Sequence, residues 1–114
     1  MNELAQRLFD FSVRSLKLTS NLPNTPEFKV IRHQLAKSAT SSGVNYEESQ
    51  AGSSKADFTN KIRISLREMR ESNYWLRIIK SITKKTKQLK RIRLIDRRIN
   101  TIKKNLRKYI EQND

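Results

Sequence analysis

Few side chains in this chain can do acid–base, metal or nucleophilic chemistry, and their spacing supports little of it. His33, in Val30-Ile31-Arg32-His33-Gln34, is the one histidine. A two-metal site in a helical bundle needs Glu-x-x-His on two helices, but residue 30 is Val and there is no second His. His33 therefore reads as an ordinary surface or boundary residue. The absence of Cys excludes disulfides, thiolate zinc sites and cysteine nucleophiles. Gly43 and Gly52, the two glycines, make no phosphate-cradling loop. Nothing arranges a serine, a histidine and an aspartate as a triad. These residues point to a protein that is not an enzyme and holds no metal or cofactor.

Two carboxylate pairs leave more room. Glu47 and Glu48 are adjacent, and Glu68 and Glu71 stand three apart, on one face of a helix. Three readings are open: catalytic acids in a cleft, ion pairs with Lys61, Arg67, Arg70 or Arg77, and a buried polar network with Asn45 that fixes helix register. Ion pairing is the favoured one, because exposed helical carboxylates usually end that way.

Charge carries the stronger signal. Residues 1–54 hold six Lys/Arg against five Asp/Glu, whereas residues 55–114 hold nineteen against six, nearly all of the net +14. Lys84, Lys85, Lys87, Lys90 and Arg91 form one dense cluster. Arg97, Arg98, Lys103, Lys104, Arg107 and Lys108 follow at spacings near three, four and seven, with Asp96 and Glu111 the acids that offset them before the final Asp114. A bias this uneven predicts a polyanionic partner, nucleic acid before an anionic membrane. Contacts would be to phosphates, giving affinity with little sequence choice. No recognition aromatic motif, KH loop or zinc finger is present.

The elements that carry these residues follow from hydropathy. Two Gly and two Pro in 114 residues favour long helices over a turn-rich all-β fold. Leu4, Ala5, Leu8, Phe9, Phe11, Val13 and Leu16 recur at helical spacing and stop at Asn21-Leu22-Pro23-Asn24-Thr25-Pro26. Thr25 can cap a second helix with Pro26 at its first position, and Phe28, Ile31, Leu35, Ala39, Ser42, Asn45 and Ser49 mark its inner line. Ser54 with Asp57 resembles a capping box ahead of Phe58, Ile62, Ser65, Met69, Ser72, Leu76 and Ile79. After a polar connection at Thr83–Lys90 come Ile92, Ile95, Ile99, Ile102, Leu106 and Tyr109. The prediction is all-α: one domain over residues 1–114, an antiparallel up-down-up-down four-helix bundle with helices at about 3–20, 26–51, 55–82 and 88–112. Leu18, Leu94, Ile64 and Trp75 or Ile78 fall off the stripes, which suggests self-association. No apolar run approaches the length of a membrane span and the N-terminus lacks a signal pattern, so the expectation is a cytoplasmic protein with no membrane contact.

Several blocks resemble a known family. Gln34 to Glu48 (QLAKSATSSGVNYEE), Lys55 to Ile62 (KADFTNKI), Ser65 to Glu68 (SLRE) and Glu71 to Arg77 (ESNYWLR) stand in the order found in bacterial four-helix-bundle proteins encoded within intervening sequences of 23S ribosomal RNA genes. The likeness is clear over about residues 22–79. It implies a left-handed antiparallel bundle that assembles as a ring-like homopentamer. The family is similar to accessory proteins of diversity-generating retroelements, basic pentamers that bind RNA and a reverse transcriptase. No catalytic residues come with the motif. Its small residues would let helix two approach a neighbour closely. Ser42, Asn45, Tyr46 and Glu48, with Asp57, Phe58, Glu68, Ser72, Trp75 and Leu76, would be structural, part of them in one polar inter-helix cluster. The expected function is RNA binding by an oligomer through helix four. The alternative is a module that docks a protein such as a reverse transcriptase.

Overall fold

Three of the four helix starts are written locally. In the computed structural model, which describes residues 2–51, 54–83 and 86–113 (for 86–88 and 113 the backbone alone), helix α1 spans Glu3–Ser20, α2 Pro26–Gln50, α3 Lys55–Ile82 and α4 Thr86–Asn113. Asn2 accepts a hydrogen bond from the Ala5 amide at 2.8 Å, Thr25 from Phe28 at 3.3 Å and Ser54 from Asp57 at 3.0 Å. Each cap satisfies one of the amide donors that a helix start leaves open. Helix α4 begins at Thr86, so the polar connection expected over Thr83–Lys90 is mostly helix. Lys and Gln are good helix formers despite their polarity, and a polar run is not by itself a break.

The helices form a four-helix bundle, 45 × 24 × 22 Å, whose long axis is about the length of a 28-residue helix at 1.5 Å per residue. Each helix packs on its sequence neighbours and α4 closes against α1, while among the described residues the backbones of the diagonal pairs stay apart. This is up-down-up-down connectivity. Leu8, Phe11, Leu18, Leu35, Ile62, Met69, Leu76, Ile79 and Ile92 are fully buried, with Ile95, Ile99, Ile102 and Leu106 at most 2% exposed.

Two expectations about the apolar stripes are corrected. Leu18, placed off the stripe, is fully buried, and Phe9 and Leu16, placed on it, are 52% and 43% exposed. The inward line of α1 is Leu4, Leu8, Phe11, Ser15 and Leu18, alternating four and three residues. Phe9 and Leu16 each lie about 100° around the helix from a core position. On α2, Asn45 is half-buried and Tyr46 takes the core position.

The seam between α2 and α3 is lined with serines. Ser38, Ser42, Ser65 and Ser72 are fully buried, and every hydroxyl has a partner. Ser38 and Ser72 lie 2.7 Å apart across the seam, Ser65 donates to the Ser42 carbonyl at 2.7 Å, and Ser42 donates to Ala39 of its own helix at 2.7 Å. Satisfied in this way, buried hydroxyls avoid the penalty of lone polar groups. On the other flank of α2, Ser12 of α1 donates to the Ala39 carbonyl at 3.0 Å, a bond that requires close backbones.

Gly43 sits at that approach. A Cβ there would meet Leu8 Cβ and Ser12 Oγ at 3.7 Å, ordinary contact distances, and the backbone has no positive φ. Gly43→Ala should therefore raise stability by about 0.5–1 kcal/mol through helix propensity. Gly43→Leu should lower it by about 1–3 kcal/mol by forcing α1 and α2 apart. Urea midpoints of the two variants test this pair of signs.

Candidate nucleic-acid interface

The apolar line of α4 decides where its cations point. With Ile92, Ile95, Ile99, Ile102 and Leu106 turned inward, Lys90, Arg97, Lys104 and Lys108 form an exposed crest. The remaining cations fall on the two flanks. On the α3 flank lie Lys103 and Arg107; on the α1 flank lies Arg91, lining a shallow depression with Arg14, Lys17, Leu94 and Ile95. Lys108 borders a groove at the other end of the α1–α4 seam, together with Arg7, Glu3, Asn105 and Tyr109. Arg98 is half-exposed. Lys84 and Lys85 lie outside the described residues, as does the side chain of Lys87.

The α3 flank concentrates positive charge most. Lys103 has its pKa lowered by partial burial and then by the like charges of Arg107, Arg70 and Arg77. Four cations from two helices thus share one field. Such a cluster raises its own electrostatic energy unless a polyanion or counter-ions neutralise it. Asp96, the acid in the middle of α4, faces Lys80, and its burial pushes its carboxyl above the ordinary aspartate range.

Arg70 and Arg77 were expected as ion-pair partners of Glu68 and Glu71, and they stand instead in the field of Lys103. Their spacing held the clue. Arg63, Arg70 and Arg77 recur every seven residues, so they share a side of α3. Arg14 and Lys17 of α1 were also missed, since nothing in a single helix says which neighbour it will face.

The carboxylates divide. Glu47 is exposed and Glu48 pairs with Lys61 at 3.0 Å, both partly exposed, an arrangement worth little. Glu68 is 17% exposed, with Arg67 at a loose 3.9 Å. Burial, followed by a hydrogen bond and repulsion from Glu71, raises the Glu68 pKa, while Arg67 and Lys37 oppose the shift. His33 is exposed on α2.

The motif residues do not gather into one polar cluster. Asn45 donates back to the Ser41 carbonyl at 2.9 Å. Ser42 and Ser72 serve the α2–α3 seam, and Leu76 fills the core. Trp75 is half-buried, its indole N–H shielded from solvent and without a partner among the described residues. Asp57 supplies the capped amide of α3. Tyr46 lies near the far end of the bundle, receiving Asn2 at 2.9 Å and donating to the Tyr109 hydroxyl at 3.1 Å. Phe58 stacks at a tilt on Tyr109 with centroids 5.8 Å apart. Burial, with the Tyr109 contact second, pushes the Tyr46 phenol above the ordinary tyrosine range. The helices are long and antiparallel, so motif residues far apart in sequence register meet different neighbours at different heights.

The family model described as 23S rRNA-intervening sequence protein matches residues 1–108. The chain belongs to this family. The match reaches past the motif blocks into α1 and most of α4. A solved Bacteroides thetaiotaomicron protein of unknown function, from the S23 ribosomal protein family, is 31% identical, with a TM-score of 0.81 over 94% of this chain and 97% of its own. No curated protein matches. No helix among the described residues is long and apolar enough to cross a membrane.

The Glu68 shift has a testable consequence. The folded chain holds that proton more tightly than the unfolded chain, so this group makes stability fall as pH rises through the carboxylate range. Glu68→Gln removes the penalty. Its Tm should exceed that of the native chain at neutral pH, and the two should converge below about pH 4, where the carboxyl is protonated in both states.

Proposed function

We propose that this protein is a non-enzymatic RNA-binding protein that acts as a homo-oligomer, in the ring-like pentamer its family resemblance implies, within the cytoplasm. The observation that carries the reading is the placing of Arg70 and Arg77 of α3 with Arg107 around Lys103, whose pKa is lowered by burial and by these like charges. Lys90, Arg97, Lys104 and Lys108 on the crest extend this cluster along α4, Arg91 and Arg98 add charge elsewhere on the same helix, and Lys84, Lys85 and Lys87 add to the positive charge of this half of the chain. A cationic strip is suited to phosphates, and two helices contributing together offer more contacts than a single solvated face. In an oligomer the same strip repeats with each protomer, which multiplies the field.

A second reading, a module that docks a protein such as a reverse transcriptase, draws on Phe9, Val30 and Val44, each more than half exposed. Partners captured from a native extract that survive nuclease treatment would favour it; partners lost with nuclease favour RNA.

Binding should be strongly salt-dependent. The logarithm of the affinity should fall with that of salt by about 0.7–0.9 per phosphate engaged. Reversing Arg97, Arg98, Lys103 and Lys104 to Glu should weaken every RNA alike and reduce the slope by about 3. Fluorescence anisotropy over a salt series measures both, and a flat salt response would sink the reading.

A further inference from the structure

Tyr74 is out of place on a surface built to bind phosphates alone. It lies on α3 four residues after Arg70 and three before Arg77, so all three share a side of the helix. The residue is 51% exposed. Its ring stands edge-on to Trp75, with centroids 5.3 Å apart and planes at 79°, and the Arg77 guanidinium stands 5.7 Å from the ring centre. From there a shallow depression runs along Ile78, Ser81 and Ile82, with Ile82 45% exposed. The ring is not needed in the core, which α3 fills with Leu76, Ile79 and Met69. An aromatic face beside Arg77, on the side of the helix that also carries Arg70, is the arrangement that takes a flat, apolar base together with its phosphates. In a duplex that base face is covered by its neighbours in the stack, and the ring would have nothing to meet.

We propose that the α3–α4 flank is a strip for single-stranded RNA, in which Tyr74 stacks on one unpaired base while Arg70, Arg77, Lys103 and Arg107 hold the phosphates around it. Arg70 and Arg77 are about 10 Å apart along the helix axis, enough to bracket a nucleotide. Between them the Tyr74 ring meets the Trp75 ring edge-on. The Arg77 cation over the ring also adds to the attraction for a stacked base and its phosphate. Base stacking tolerates any base, so the strip selects strandedness, not sequence.

This rests on the RNA-binding reading above, and the experiment separates the two. The full chain is titrated with oligouridylate of about a dozen nucleotides and with a blunt RNA duplex of equal length, a size within the span of single-strand sites. The native protein should favour oligouridylate. Tyr74→Ala should lower oligouridylate affinity by about tenfold, leave duplex affinity and both salt slopes unchanged, and be rescued by Tyr74→Phe. Arg70→Gln with Arg77→Gln should lower both salt slopes. Trp75, the one tryptophan, gives a direct readout: its fluorescence should change on adding oligouridylate and change less with duplex. Equal affinity for the two ligands, or equal loss of both in Tyr74→Ala, overturns the single-strand assignment and leaves RNA binding standing. Failure of both ligands to bind at low salt overturns both readings. Displacement of bound oligouridylate by polyglutamate with no effect of Tyr74→Ala would also overturn it, marking the strip as a non-selective polyanion site.

Discussion

Everything on the cationic side of this molecule depends on the aliphatic line of α4. Five side chains, Ile92, Ile95, Ile99, Ile102 and Leu106, hold a helix that is otherwise mostly charged or amide-bearing against α1 and α3. Each such burial contributes roughly 1.5–3 kcal/mol. Like-charge contacts at partly exposed positions cost only a few tenths of a kcal/mol each, so the bundle closes in spite of the repulsion around Lys103. The line also sets the rotation of α4. That rotation puts Lys103 and Arg107 beside Arg70 and Arg77, Arg91 beside Arg14 and Lys17, and leaves Arg97 and Lys104 between.

The opposite seam works by other means. Between α2 and α3 the contact is made of small hydroxyls, each bonded across the seam or back to its own helix. Serines contribute little apolar burial, but they let the helices approach, and a satisfied hydroxyl carries no desolvation debt. Gly43 and Ser12 do the same between α1 and α2. The first half of the chain thus supplies a tightly packed frame, and the second half supplies the charge that the frame displays. Tyr46, Tyr109, Asn2 and Phe58 tie three of the four helices and the start of α1 together at one end, well away from Tyr74 near the other.

Much of this was legible beforehand because it is written in local signals. Thr25-Pro26 and Ser54-Asp57 state where helices begin, and the four-three spacing of α3 and α4 states which side is buried. The family blocks between Gln34 and Arg77 point to the same bundle. The errors came where two patterns compete or where a neighbour decides. Phe9 and Leu16 fit a helical series as well as Leu18 does, and only the crossing of α1 with its neighbours selects Leu18. The run after Thr83 is polar enough to resemble a loop, but its residues propagate a helix well.

The sequence by itself determined the helices, the inward faces of α3 and α4, the bundle and the sign and half of the charge, because these follow from spacing, caps and composition within each segment. Tertiary structure decided which cations meet. Arg70 and Arg77 are some thirty residues from Lys103 and Arg107, and no periodicity within either helix can show that they share one field. It also decided that Glu68 sits in partial burial beside Glu71 while Glu48 finds Lys61, and that Tyr74 stays open beside the cations. Electrostatic and stacking neighbourhoods are properties of the space between helices, set by packing rotation and register, and a one-dimensional pattern carries neither.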